Sequence, residues 1–95
     1  MKNTFVGQFV IARTFSAGVH YGKLVERDGQ EVLLAEARRI WKWEGALTLH
    51  ELASIGPSAS SKISAQISNI LLIGAVEVIP VSERAQNLIA RITWK

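Results

Sequence analysis

The sequence predicts an α+β fold: a bent antiparallel sheet or small open barrel with a short middle helix and a C-terminal helix. Runs of β-forming residues alternate with turn signals over the first half of the chain. The pair Asp28-Gly29 lies between two of these runs, which is typical of a hairpin. Near the end of the chain, apolar residues recur with helical spacing, at Ala85, Leu88, Ile89 and Ile92.

Three strands are predicted in the first half. Residues 8–15 form a short apolar run, and residues 19–26 form a second in which Gly22 marks a bulge or a close approach of backbone. Residues 31–43 form a long third strand, bent near residues 35–37. Turns at residues 16–18 and 28–29 connect the three, so we expect an antiparallel meander.

The second half is predicted to hold both helices. Thr48 is a candidate N-cap, with Glu51 three residues later as in a capping box, and Gly56 with Pro57 ends this short helix. Residues 62–68 and 70–81 supply one or two further strands. Ser82 is the candidate N-cap of the last helix. The Gly/Pro/Ser-rich residues 56–61 predict a loop that is either mobile or folded over a site.

Composition indicates one domain, residues 1–95. The chain is 48% hydrophobic, which is high for so small a body, so we expect a homo-oligomer that covers part of this surface. With no cysteine, a disulfide scaffold and a thiolate metal site are excluded. The net charge of +3 is a mild basic bias. It suits a small anion and is lower than is usual for nucleic-acid binders.

The sequence predicts a soluble protein in the cytoplasm, without membrane contact. The chain start lacks the long apolar run of a signal peptide. The longest apolar run, residues 70–81, is interrupted by Gly74, Glu77 and Pro80, and it is too short to span a bilayer.

Residues 37–43 are the first candidate site, because they combine two tryptophans with three basic residues. On a strand, Arg39, Trp41 and Trp43 face one way, whereas Arg38 faces the other with Ile40 and Lys42. Aromatic rings beside fixed positive charge suit a ligand with a base and a phosphate. The alternative is that the tryptophans are core or interface residues and the arginines merely extend into solvent.

Residues 13–20 are the second candidate site. Arg13, Ser16, the Gly18 backbone and His20 provide a guanidinium, a hydroxyl, turn amides and an imidazole within eight residues. A Ser-Ala-Gly turn allows backbone amides to approach an anion closely. The alternative is an ordinary hairpin turn.

No motif indicates catalysis, a metal or a cofactor. His20 and His50 lie thirty residues apart without metal-ligand spacing. Ser16 and His20 form a nucleophile–base pair only in the loose sense that any short chain offers one. No phosphate-binding loop, nucleophile elbow or paired carboxylates are present. We therefore expect a binding protein that is not an enzyme.

The two candidate sites also carry a resemblance. Residues 9–24, residues 37–51 and the segment Glu77-Val78-Ile79-Pro80 resemble a family of small, uncharacterised proteins of tailed bacteriophages and prophages. This resemblance covers roughly residues 8–85 and implies no activity. By a looser analogy, phages encode small oligomeric β-rich proteins that sequester nucleotide immune signals.

The leading hypothesis is a phage-encoded homo-oligomer that sequesters a cyclic nucleotide or a cyclic ADP-ribose-like molecule in the host cytoplasm. Arg13, Arg38 and Arg39 would neutralise phosphates, with Lys42 assisting. Trp41 or Trp43 would stack on a base. Ser16, Gly18 and His20 would bind phosphate or ribose hydroxyls. The alternatives are a protein-interaction module that inhibits a host protein and a single-stranded nucleic-acid binder.

Overall fold

Six strands and two helices make up the described part of the chain, residues 4–92 of a computed structural model. They are β1 (Phe9–Thr14), β2 (Val19–Asp28), β3 (Glu31–Lys42), α1 (Leu49–Ile55), β4 (Lys62–Ile63), β5 (Ile67–Ile73), β6 (Ala75–Pro80) and α2 (Glu83–Ala90). The predicted α+β class is confirmed. Neither helix in residues 4–92 is long and apolar enough to cross a membrane. The chain start, on which the expected lack of a signal peptide depends, lies outside these residues.

The strands form one open antiparallel sheet in the order β4-β3-β2-β1-β6, with β5 paired to the first half of β3. The predicted meander is therefore β1–β3, and the sheet does not close into a barrel. The predicted hairpin turn lies one residue later than expected, at Gly29 and Gln30, because Asp28 still pairs with Glu31. The region predicted as one or two further strands contains three, since Gly74 separates β5 from β6.

Both faces of the sheet bury apolar side chains. On one face the two helices cover a core that includes Ile11, Tyr21, Ile40, Leu52 and Ile89. The opposite face holds a second core, to which β5 and β6 also contribute side chains. It includes Val10, Ala12, Leu24, Leu34 and Leu72.

The predicted bend in β3 is a bulge at Glu36, which has a positive φ of 52°. On the β2 side, Tyr21 pairs with Arg38 and Lys23 pairs with Ala35, so two residues of β3, Glu36 and Ala37, lie opposite one residue of β2. Gly22 lies opposite this bulge on β2, and a Cβ added there would be 2.9 Å from the Ala35 carbonyl oxygen. The predicted close approach at Gly22 is therefore confirmed.

The predicted helix caps are also confirmed. The Thr48 hydroxyl accepts a hydrogen bond from the Glu51 amide at 3.1 Å, and the Ser82 hydroxyl accepts one from the Ala85 amide at 3.1 Å. Ser82 also donates from its hydroxyl to the Ser54 carbonyl at 2.6 Å. This bond joins the start of α2 to the end of α1.

Candidate functional site

The turn between β1 and β2 is held rigid by hydrogen bonds. Thr14 is buried, and its hydroxyl donates to the Gly18 carbonyl at 2.8 Å while accepting from the Ala17 amide at 2.8 Å. The His20 ring donates from Nε2 to the Ala17 carbonyl at 2.8 Å. Within the described part of the chain, no hydrogen bond uses the Ser16 or Gly18 amide. The turn is therefore preorganised and leaves two amides for a ligand.

The end of β3 lies beside this turn because Ile40 pairs with Val19, the first residue of β2. A register shift between Ile40 and Lys42 makes Trp41 the extra residue where β4 pairs with β3. Trp41 remains 60% exposed. The ammonium group of Lys62, on β4, lies 5.3 Å from the centre of a Trp41 ring.

The turn and the end of β3 together line an open surface depression of about 350 Å³. Its lining brings together five predicted site residues with three neighbours: Ser16, Ala17, Gly18, Val19, Arg39, Ile40, Trp41 and Trp43. The depression places an exposed indole and a guanidinium beside a turn with two available amides. This arrangement suits a ligand that has both a flat aromatic part and an anionic part.

Trp43 differs from Trp41 in its surroundings. β3 ends at Lys42, so the strand alternation predicted through residue 43 does not reach Trp43. Trp43 is half-buried and packs against the helix-covered core, although it also lines the depression. Trp43 therefore matches the alternative prediction that the tryptophans are core residues, whereas Trp41 is exposed.

Arg38 is directed inward, away from the depression. Its guanidinium donates to the carbonyls of Ser64 and Ile89, at 2.7 Å each, and to those of Ile63 and Ile92. Burial lowers the pKa of Arg38, and the Tyr21 hydroxyl has a weaker, opposing effect on that pKa. These donors fasten β3 to the end of α2, and Arg38 does not line the depression.

Arg13 also lies apart from the depression. Its Nε donates to Oε1 of Glu77 on β6 at 2.7 Å, in an exposed ion pair. The predicted contribution of Arg13 to the same phosphate cluster as Arg39 finds no support in this placement. Lys42, the predicted assistant, has its ammonium group 3.4 Å from Oε1 of Glu44.

The predicted loop of residues 56–61 is tied to Glu44. Ser60 donates from its hydroxyl to Oε2 of Glu44 at 2.9 Å, and the Ser61 hydroxyl accepts from the Glu44 amide at 2.8 Å. The Ser60 bond, together with Lys42, lowers the pKa of the Glu44 carboxyl. These contacts hold the loop beside the end of β3, and its serines are absent from the lining of the depression.

His20 is 1% exposed and lines a second depression next to the first. Burial is the main reason that its pKa lies below the usual value of 6.5; the bond to the Ala17 carbonyl opposes this shift, and the charge of Arg39 adds to it. The imidazole is therefore neutral at pH 7. Among residues 4–92, no group of three or more His, Asp or Glu side chains is placed to hold a metal ion.

Two features near the site were not predicted from the sequence: the contact of Lys62 with Trp41 and the exposure of Phe15. Lys62 contacts Trp41 only because β4 pairs with β3 across twenty residues of sequence, which no local pattern indicates. Phe15 is 87% exposed and precedes Ser16 in the turn. The sequence places Phe15 in a buried first strand of residues 8–15, but β1 ends at Thr14.

Comparison with known proteins assigns the chain to a family. A family model described as a domain of unknown function, DUF6948, matches residues 7–89. The chain belongs to the DUF6948 family. The match spans all three segments on which the resemblance depended, so membership of an uncharacterised family is confirmed. No curated protein matches this DUF6948 chain.

A solved structure shares the fold of this DUF6948 domain. It is the SmAP1 heptamer of P. aerophilum, which aligns with a TM-score of 0.56 at 14% sequence identity. The alignment covers 84% of this chain and 86% of the SmAP1 chain. At this identity, the likeness concerns the fold alone.

Proposed function

We propose that this DUF6948 protein is a non-catalytic binding module for single-stranded nucleic acid and that it works as a homo-oligomer. The observation that carries the proposal is the depression lined jointly by Trp41, Arg39 and the turn of residues 16–18. A base would stack on the exposed Trp41 ring, and Arg39 would hold the adjacent phosphate. The Ser16 hydroxyl and the free amides of Ser16 and Gly18 would complete the phosphate contacts.

The openness of the depression favours a strand over an enclosed small molecule. A small ligand is bound tightly when a pocket buries most of its surface, whereas a strand can run through an open groove. The depression of about 350 Å³ is open in the single chain. Arg39 lines the depression and the Lys62 ammonium lies 5.3 Å from the centre of a Trp41 ring, so both add positive charge near Trp41 that would attract a phosphate backbone.

The homo-oligomer is supported by an exposed apolar patch on β5 and β3. Leu71 and Ile73 are 57% and 67% exposed, and Leu33 pairs with Leu71 on the neighbouring strand. We call Leu33, Leu71 and Ile73 the β5 patch. Burying it between copies would remove apolar surface from water. The structurally similar SmAP1 is described as a heptamer, which is consistent with self-association of this fold.

Sequestration of a cyclic nucleotide is the second candidate. The depression has room for one nucleotide unit, and a neighbouring subunit placed over it would supply the missing enclosure. The phage origin of the chain and a role against host defence are further parts of this candidate. They depend on the resemblance of residues 9–24 and 37–51.

Binding measurements separate these functions. Labelled single strands of increasing length should bind with rising affinity, and the logarithm of affinity should fall with that of salt, with a slope of about −0.7 per neutralised phosphate. Cyclic dinucleotides and cyclic ADP-ribose should then give no thermal shift. A selective shift with one of them and no strand binding would favour sequestration. If neither class binds, a host-protein partner becomes the better explanation.

A further inference from the structure

A second depression of about 240 Å³ lies next to the site. It is lined by His20, Ala37, Arg39, Ser64, Ile67 and Ile70. Arg39 lines both depressions, so the two adjoin at this residue. A group held by Arg39 would therefore lie close to both depressions.

His20 presents a hydrogen-bond acceptor to this second cavity. Because Nε2 donates to the Ala17 carbonyl, the neutral ring carries its lone pair on Nδ1. Nδ1 makes no hydrogen bond within the described chain. Every fully buried polar side-chain atom of the described residues has a partner, so Nδ1 is not fully buried. Nδ1 therefore keeps a little accessible surface on a residue that is 1% exposed, and the cavity that His20 lines offers an approach to it.

The remaining walls suit a flat apolar ring. Ala37, Ile67 and Ile70 are aliphatic, and Ile67 forms the open side because it is 51% exposed. Apart from Arg39 and His20, the polar lining residue is Ser64. Its hydroxyl is already used, since it accepts from the Arg39 amide at 2.8 Å and donates to the Ala65 carbonyl at 3.1 Å.

We infer that the second cavity takes the base next to the one stacked on Trp41, and that His20 Nδ1 accepts a hydrogen bond from an exocyclic amino group of that base. The inference rests on the proposed function and deepens it. Arg39 would hold the phosphate that links the two nucleotides. The site would thus bind a dinucleotide step and favour amino-bearing bases, above all adenine, in the second position.

Deletion of the amino group tests the inference. We would compare an oligoadenylate with the same strand built from purine nucleosides, which lack the exocyclic amine. One neutral hydrogen bond is worth about 0.5–1.5 kcal/mol, so the wild type should bind the amine-free strand about two- to tenfold more weakly. In His20→Phe, which has no ring acceptor, the two strands should bind equally.

Ile67→Ala provides a test that does not depend on the folding of the His20 variant. Removing a wall of the cavity at an exposed position should weaken oligoadenylate binding severalfold. The matched control is Ile55→Ala, an exposed isoleucine on α1 that lines neither cavity, and it should bind as the wild type does.

The outcomes keep the two proposals apart. Strand binding that depends on Trp41 but ignores both the amine and Ile67 would overturn the dinucleotide site and leave the proposed function standing. Failure of the wild type to bind any strand would overturn both. Amine discrimination that persists in His20→Phe would show that another group reads the base.

Discussion

At the scale of residues, Arg38 and Arg39 show what sequence could not decide. Strand alternation correctly places their side chains on opposite faces. The sequence does not show which face is covered by helices, because this depends on where α2 packs. Arg38 meets the carbonyls at the end of α2, and Arg39 lines the two depressions. The sequence therefore predicted that an arginine beside the tryptophans would line the site, but it did not show whether this would be Arg38 or Arg39.

His20 predicts a dependence of stability on pH. Its folded-state pKa lies below 6.5, so the unfolded chain binds a proton more readily than the folded one. The contribution of His20 to stability is therefore complete above the unfolded pKa of about 6.5 and is lost as pH falls from there through the folded pKa.

Chemical denaturation across this pH window measures the effect. The free energy of unfolding of the wild type should fall as the pH is lowered through the unfolded pKa of about 6.5. His20→Gln can still donate to the Ala17 carbonyl but does not titrate, so its decline should be smaller. Equal declines in the two proteins would show that the carboxylates, and not His20, produce the pH dependence.

At the scale of elements, local signals predicted most of the fold. Thr48 and Ser82 cap the two helices as expected, and the bulge at Glu36 lies within the predicted bend. The pairings of β5 with β3 and of β6 with β1 were not predictable. They join segments distant in sequence, and they arise from burial of the second core, for which no short window gives a signal.

Gly56 predicts a strong effect of substitution at the end of α1. Its φ is 83°, and a Cβ added there would lie 2.7 Å from Cδ1 of Leu88 and 3.1 Å from Cα of Ala85. Gly56→Ala should therefore combine backbone strain of about 1–2 kcal/mol with displacement of α2.

Gly29→Ala is the matched control for this prediction. Gly29 also has a positive φ, 57°, but a Cβ there would meet no atom within 4 Å. Thermal unfolding should show a larger loss of stability for Gly56→Ala than for Gly29→Ala. Equal losses would mean that strain alone matters and that α1 and α2 separate without cost.

At the scale of the whole molecule, the β5 patch predicts self-association. Light scattering of the wild type should give a mass that is a multiple of 10.5 kDa. Leu71→Lys places a charge in the centre of the patch and should reduce the mass to that of one chain. Leu47→Lys, at a position 89% exposed outside the patch, should leave it unchanged. A monomeric wild type would contradict this assembly.

In the proposed function, Trp41 and Arg39 together bind a single strand. The most direct measurement is the affinity of a labelled strand for Trp41→Ala and Arg39→Ala, with Leu47→Ala and Arg84→Ala as controls for exposed apolar and exposed basic residues. Loss of stacking should cost about 1–3 kcal/mol in Trp41→Ala. Loss of one phosphate contact should reduce the salt slope by about 0.7 in Arg39→Ala. The controls should bind as the wild type does; folded site variants that bind equally well would contradict the account.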